Sequence, residues 1–253
     1  MKKKFPIWKM CQKEPSLLTH EGDEMELLKK FQVLDGTVLK LIAMIAMIFD
    51  HVGDNFFPEQ VWMRIIGRMA MPIFAFCIAE GFCHTRDKRK YLSRMVIFGI
   101  VSEIPFDLVT AGKMLEFSHQ NIMLTFAWAI LGLICVDKIL EKNNKIKYLI
   151  VGLILLFFLI VSLILGLDYN MLAIALISVY YLLREKAFWV KNVVAMAVHA
   201  LLRNVGIYWF GLLGFVPVFL YNGKRGKGLK WLFYAFYPGH LLLIYLIRQF
   251  LIS

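Results

Sequence analysis

The sequence predicts an all-α, polytopic transmembrane helical bundle of about nine membrane-spanning helices, with the N-terminus in the cytoplasm. Three observations carry this. Hydrophobic residues make up 60% of the 253 positions and mean hydropathy is +0.66, against about 45–50% apolar residues in a soluble domain. The apolar residues come in long blocks separated by short charged loops, as membrane helices require. Lysine and arginine gather in alternate loops.

Residues 1–33 read as a polar cytoplasmic tail and residues 34–253 as a single membrane domain. No apolar core with a cleavage site follows Lys2 to Lys4, so no signal peptide is expected. Leu27 to Phe31 suits either a short interfacial helix or a loose tail. Segment one runs from Leu34 to about Phe49 and on through Asp50 and His51, with Asp35 and Thr37 as candidate caps. Segment two spans Trp62 to Cys83, and Pro72 is expected to kink it. Segment three covers Leu92 to Val109, bent by Pro105. Segment four covers His119 to Val136, with Ser118 as candidate cap. Segment five, Tyr148 to Leu167, is the cleanest lipid-facing stretch. Segments six to nine follow at Tyr169–Leu183, Phe188–Leu202, Tyr208–Tyr221 and Leu232–Leu251. Segments seven and eight are short, and the turn at Asn204 and Gly206 also suits a re-entrant pair. Pro238 and Gly239 are expected to make segment nine irregular.

One set of loops holds Arg86 to Arg94, Lys138 to Lys147, Arg184 to Lys191, and Lys224 to Lys230. The opposite set holds only Lys113 and Arg203, with Arg248 near the chain end. This asymmetry orients the multi-pass bundle N-terminus in and C-terminus out. The same distribution explains the net charge of +11 without nucleic acid, since no single soluble face is basic.

This orientation brings unusual polar residues to one depth. Asp50, His51 and Asp54 end segment one. Arg64 and Arg68 share a face early in segment two. Glu103 and Asp107 share a face late in segment three. His119, Gln120 and Asn121 open segment four, Asp168 lies in the next outer turn, and His199 and Arg203 end segment seven. Ionisable groups at membrane depth line cavities or pair within bundles, so these residues predict a polar chamber near the outer face. Each also has a bland reading. Arg64 with Asp50 or Asp54 is equally a structural ion pair, Asp168 a cap, and His199 a satisfied bundle residue. His51 and Asp50 are sequence neighbours and need not share a face. His119 beside helix-terminal amides reads as a general base toward an amine or hydroxyl, with His51 as the second candidate. Arginine or helix amides would stabilise an oxyanion.

On the cytoplasmic side, TRDKRKYLSR suits anionic lipid heads or the phosphates of a cofactor such as coenzyme A. Glu80 and His84 precede it, four apart. No H-E-x-x-H, paired-cysteine, nucleotide-loop or G-x-S-x-G motif occurs, so no metal is expected.

The blocks LDGTVLKLIAMIAMIFDHVG, GRMAMPIFAFCIAEGF with HTRDKRKYLSR, SEIPFDL, HQN and FYAFYPGHLLL resemble the TraX family. That family is named for the plasmid protein that acetylates the amino terminus of F-type pilin, and it is grouped with larger membrane acyltransferases. The resemblance implies an acetyltransferase that takes acetyl from cytoplasmic acetyl-CoA to an amine or hydroxyl at the outer face. The acceptor would be a pilin-like peptide, a saccharide or another surface molecule. The implied site residues are Asp50, His51, Arg68, Glu80, Glu103, Asp107, His119 and Asn121. Within this reading, Arg86, Lys88, Arg89 and Lys90, with Glu80 and His84, would bind the cofactor. Direct transfer and an acetyl-histidine intermediate both fit. A transporter with a buried polar relay and a non-catalytic surface-assembly protein are the competing readings.

Overall fold

A computed structural model describes residues 31–203 and 205–252. The expectations for residues 1–30 lie outside the described residues. Every regular element among the described residues is helical.

Helix α1, Gly36–Phe56, starts where Asp35 accepts hydrogen bonds from the amides of Thr37 (2.8 Å) and Val38 (2.9 Å), as the sequence suggested. At 1.5 Å per residue it is about 30 Å long, the thickness of a bilayer core. The residues before it are clipped to the loop at 220–227: Leu34 donates to the Leu220 carbonyl, Gly36 to Lys224, and the Thr37 hydroxyl to Lys227. Gly226, at φ +74°, lies so close to the Asp35 carboxylate that no side chain fits there.

The second apolar block is two helices, α2 (Val61–Arg68) and α3 (Ala70–His84), with the break at Met69 and not at Pro72. A proline ring excludes the carbonyl four residues earlier, which here is Arg68. Pro72 therefore acts one turn upstream of itself and sits without cost in the first turn of α3. Helix α4, Lys88–Thr110, begins earlier than expected. The Lys90 amide bonds the capping Asp87 and holds that carboxyl below its usual range. Lys88, Arg89 and Lys90 thus form the first helical turn, not a loop.

Helix α5, Ile122–Leu140, begins later than expected. Its cap is Asn121, whose side-chain oxygen accepts from the Met123 amide at 2.9 Å. Ser118 does not cap it. Helices α6 (Lys147–Ile164), α7 (Asn170–Leu182) and α8 (Phe188–Leu202) follow. Leu149, Leu153, Leu156, Phe157, Ile160 and Leu163 leave α6 an exposed apolar flank, as its sequence predicts. The eighth block is a 3₁₀ helix, Gly206–Gly214, running into the short α9, Phe215–Phe219. Gly214 packs against the Met69 backbone, where a Cβ would come within 3.1 Å of the carbonyl carbon. Helix α10, Lys230–Ile252, runs unbroken through Pro238 and Gly239, contrary to the expected irregularity.

Helix α3 is the centre. Ile73, Ala75, Phe76, Ala79 and Phe82 on it are buried, and α1, α7 and the 3₁₀ helix pack around it. Helices α4 and α10 pair along one side, and α5 joins α4 to α6 and α7. Four stretches among the described residues are long and apolar enough to cross a membrane: Gly36–Phe56, Val61–His84, Ile122–Leu140 and Lys147–Ile164.

Candidate functional site

The bundle has two polar regions, one at each end. At the end where α1, α4 and α10 begin and α3 finishes, a cavity of about 570 Å³ opens between these helices. That is within the usual range for a small-molecule site. Five cationic side chains line it: Lys40, Arg86, Arg94, Arg225 and Lys230. Lys40, Arg94, Arg225 and Lys230 have no ion-pair partner among the described residues; Lys40 lies over the Phe233 ring at 5.1 Å, and the Arg94 Nε donates to the Tyr234 hydroxyl at 3.4 Å. Among the described residues a single carboxylate faces them. Glu80 accepts from the Tyr221 hydroxyl at 3.4 Å and bonds the His84 ring at 2.9 Å. Deeper in, the walls become apolar at Phe74, Phe76, Ile78, Met123 and Phe126. Gly81 keeps one wall open, since a Cβ there would press on the Tyr91 hydroxyl at 3.0 Å.

Of the residues expected to hold a cofactor, Glu80, His84 and Arg86 line this cavity. Lys88, Arg89 and Lys90 do not. Lys88 pairs with Asp137 and lies over Phe82, while Lys90 pairs with Asp87 at 3.7 Å. Lys88 turns toward α5 because Asp137, itself bonded by Tyr181, is buried there and needs a counter-charge. Arg89 is exposed. Lys40, Arg94, Arg225 and Lys230 take their place. Their only sequence signal was charge in or beside apolar blocks, which does not separate a ligand contact from a membrane-surface residue.

The second polar region is at the opposite end. Arg68 is buried and bonds both carboxylate oxygens of Asp50. Arg64 bridges Asp50 at 3.5 Å and Asp54 at 3.0 Å. The Arg68 guanidinium lies over Tyr208 at 5.3 Å and Tyr169 at 5.8 Å, and its Nε is buried without a hydrogen-bond partner among the described residues. His51 Nδ1 meets His240 Nε2 at 2.8 Å. Asn121 donates to the Gly99 carbonyl at 2.9 Å and to Glu103. Asp107 accepts the Glu116 amide at 2.8 Å. One oxygen each on Glu103 and Asp107, and His199 Nδ1, are also buried without hydrogen-bond partners among the described residues. The turn before α7 lies between these groups: the Asp168 amide donates to the Gln120 carbonyl at 3.0 Å, its carbonyl accepts from the Thr125 hydroxyl at 3.0 Å, and Tyr169 next to it faces Arg68, while on α10 the Tyr237 ring lies 5.6 Å from that of His240.

Asp50, His51, Arg68, Glu103 and Asn121 therefore join this region as expected, and Asp107 borders it. His119 does not. It lies exposed in the bend before α5, outside the helix. The nearby Glu116 carboxyl is held low by the Ser118 amide at 3.2 Å. The bend is pinned by the Gln120–Leu167 bridge and by Gly166 packing on Ser118, which keeps His119 off the bundle axis. His240, Tyr169 and Tyr237 join the cluster without having been chosen as site residues. His240 was visible in the sequence as a histidine inside an apolar block; its partner, 189 positions away, was not.

The two regions approach each other at the start of α5. Met123 and Phe126 form the cavity's deep wall, while Asn121, two residues before Met123, belongs to the polar cluster. Among the described residues no three His, Cys, Asp or Glu side chains gather around a metal-sized space.

The chain matches the family model described as TraX protein over residues 35–248. It is 29% identical over 241 residues to a probable fimbrial assembly protein FimC, serogroup H1, of Dichelobacter nodosus, covering 84% of this chain and 95% of the relative. It is 39% identical over 88 residues to an uncharacterized protein of Rickettsia prowazekii, covering 35% and 32%. It is 29% identical over 93 residues to protein TraX of Escherichia coli, covering 36% of each. No solved structure matches.

Proposed function

Because the chain belongs to the TraX family, we propose that it is a multi-pass acetyltransferase of the cytoplasmic membrane, moving acetyl from acetyl-CoA to an amine or hydroxyl at the outer face. One observation carries this: a cation-lined cavity enters one end of the bundle, and Met123 on its wall is two residues from Asn121 of the buried polar cluster. Loop charge assigns the cavity end to the cytoplasm, where acetyl-CoA is made available.

The ligand chemistry fits the lining. Arg86, Arg94, Arg225, Lys40 and Lys230 supply positive charge for the phosphates. The apolar throat at Phe76, Ile78 and Phe74 suits the uncharged pantetheine arm. His51 is the base the geometry favours over His119. Its Nε2 takes the proton from the acceptor as the acceptor nitrogen or oxygen bonds the thioester carbon. When the tetrahedral species collapses, the carbon–sulfur bond breaks and His51 returns that proton to the leaving sulfur. The unpartnered Arg68 Nε is a ready donor to the transient oxyanion. Asp50 keeps Arg68 in place.

Similarity to the Dichelobacter relative, a probable fimbrial assembly protein, supports a pilin-like acceptor. A purely structural assembly role would leave the polar groups fully paired and the cavity without purpose. The unpaired Arg68 and Glu103 atoms favour chemistry.

The test is transfer of labelled acetyl from acetyl-CoA by the purified protein in lipid, with His51→Ala alongside. Protein-dependent thioester cleavage that His51→Ala abolishes is expected. A wild-type protein that neither cleaves nor binds acetyl-CoA removes the enzyme reading.

A further inference from the structure

We infer that His240 on α10 is a positioning residue: it holds the His51 ring in the Nδ1–H form and leaves Nε2 as its open lone pair. The catalytic half of this rests on the acetyltransferase reading; the tautomer half stands on geometry alone.

The proton assignment follows from the partners. His240 Nδ1 lies 2.9 Å from the Phe236 carbonyl oxygen. A carbonyl only accepts, so His240 Nδ1 carries a proton. In the neutral ring Nε2 is then bare, and it faces His51 Nδ1 at 2.8 Å. His51 Nδ1 must therefore donate, and His51 Nε2 is left as an acceptor. A free imidazole has no such constraint. The ring centroids are 5.0 Å apart and the planes differ by 9°. That separation is the N···N distance plus the two ring radii, so the rings lie end to end in one plane, as a strong hydrogen bond prefers.

Both rings are held. His240 is buried and stacks on Phe236 at 4.5 Å. The His51 carbonyl accepts from Asn55 at 2.9 Å. Arg248, two turns beyond His240 on the same helix, donates to Asn55 at 3.0 Å and to the Val109 and Leu108 carbonyls that end α4. Helix α10 thus grips α1 twice, at the His51 ring and at the Asn55 side chain that bonds the His51 carbonyl. The Asp50 carboxylate faces Arg64 and Arg68, so the ring partner the structure gives His51 is His240.

In transfer, His51 Nε2 accepts the acceptor's proton and later passes it to the coenzyme sulfur. The Nδ1–H···Nε2 bond to His240 persists throughout and steadies the intermediate imidazolium, the role a carboxylate plays in other triads.

The experiment uses the full chain in lipid nanodiscs with ¹⁵N-labelled histidine. A neutral Nδ1–H histidine signal that disappears in His51→Gln is expected, and in His240→Phe the His51 signal should move to the Nε2–H form. Turnover should fall about 100-fold in kcat in His240→Phe, the usual scale of general-base loss, with KM for acetyl-CoA unchanged. His240→Gln, whose amide oxygen can accept from His51 Nδ1, should stay close to wild type. His240→Leu replaces the phenylalanine variant if that one fails to fold. A wild-type His51 protonated at Nε2, or a His51 signal indifferent to His240→Phe, overturns the inference. Equal losses in the glutamine and phenylalanine variants overturn its catalytic half. A clear Nδ1–H signal in a protein inert toward acetyl-CoA would support the pairing and sink only the acetyltransferase reading.

Discussion

Gly67 on α2 lies directly against Asp50 on α1: a methyl group at 67 would stand within 2.6 Å of the Asp50 carboxyl carbon. This close approach lets Arg68, the next residue, reach the carboxylate of a neighbouring helix. Gly67→Ala should therefore push α1 and α2 apart and destabilise the protein by about 1–3 kcal/mol, the range of core overpacking. Gly152→Ala on α6, where a Cβ would meet nothing within 4 Å, should be neutral or slightly stabilising. Thermal unfolding in one detergent compares the two; equal melting temperatures would refute the close-packing argument.

Asp50→Leu should be among the most damaging single changes. It strands the buried Arg68, and an uncompensated buried charge costs about 3–5 kcal/mol. The double variant Asp50→Leu, Arg68→Met should recover much of the folded yield but no acetyl transfer. Size-exclusion profiles and turnover measured together separate these outcomes.

Arg94→Ala and Lys230→Ala should each weaken acetyl-CoA binding about tenfold, the effect of losing one charge-assisted contact. Arg89→Ala and Lys90→Ala, whose side chains lie outside the cavity lining, should bind as wild type. Calorimetry at two salt concentrations tests this, and the wild type should lose more affinity at high salt than Arg94→Ala.

Asn121→Ala should cost about 1 kcal/mol through loss of the α5 cap, and more through the released Glu103. Ser118→Ala should do nothing. His119→Ala should retain most turnover where His51→Ala retains none. A dead His119→Ala with normal cofactor binding would return the base to the exposed bend.

The legible parts of the fold were those with local causes. The Asp35 cap that starts α1 and the exposed apolar flank of α6 follow from residues within one or two turns of each other. Errors arose where a local signal acts at a distance. Pro72 breaks the helix at Met69 because its ring excludes the Arg68 carbonyl. The FSHQN stretch offered two capping side chains, and only the packing of Asn121 against Gly99 and Glu103 selects between them. Pro238 and Gly239 resemble a helix break, yet α10 continues because α1 and α4 hold it on both flanks.

The candidate site divides in the same way. Asp50, His51, Arg68, Glu103 and Asn121 stand out in the sequence because charge is rare in apolar blocks. The choice among basic residues does not, since cations at one end of a bundle look alike until helices α1, α3, α4 and α10 converge on a common space.

By itself the chain's sequence determined the helical class, the apolar segments, the charge asymmetry and several of the buried polar residues, because each of these is a property of composition and short-range spacing. Tertiary structure alone decided which cations face the cavity, that His119 is left outside, and that His51 meets His240. Those outcomes are pairings between residues far apart in the chain, and such contacts exist only once the helices have packed.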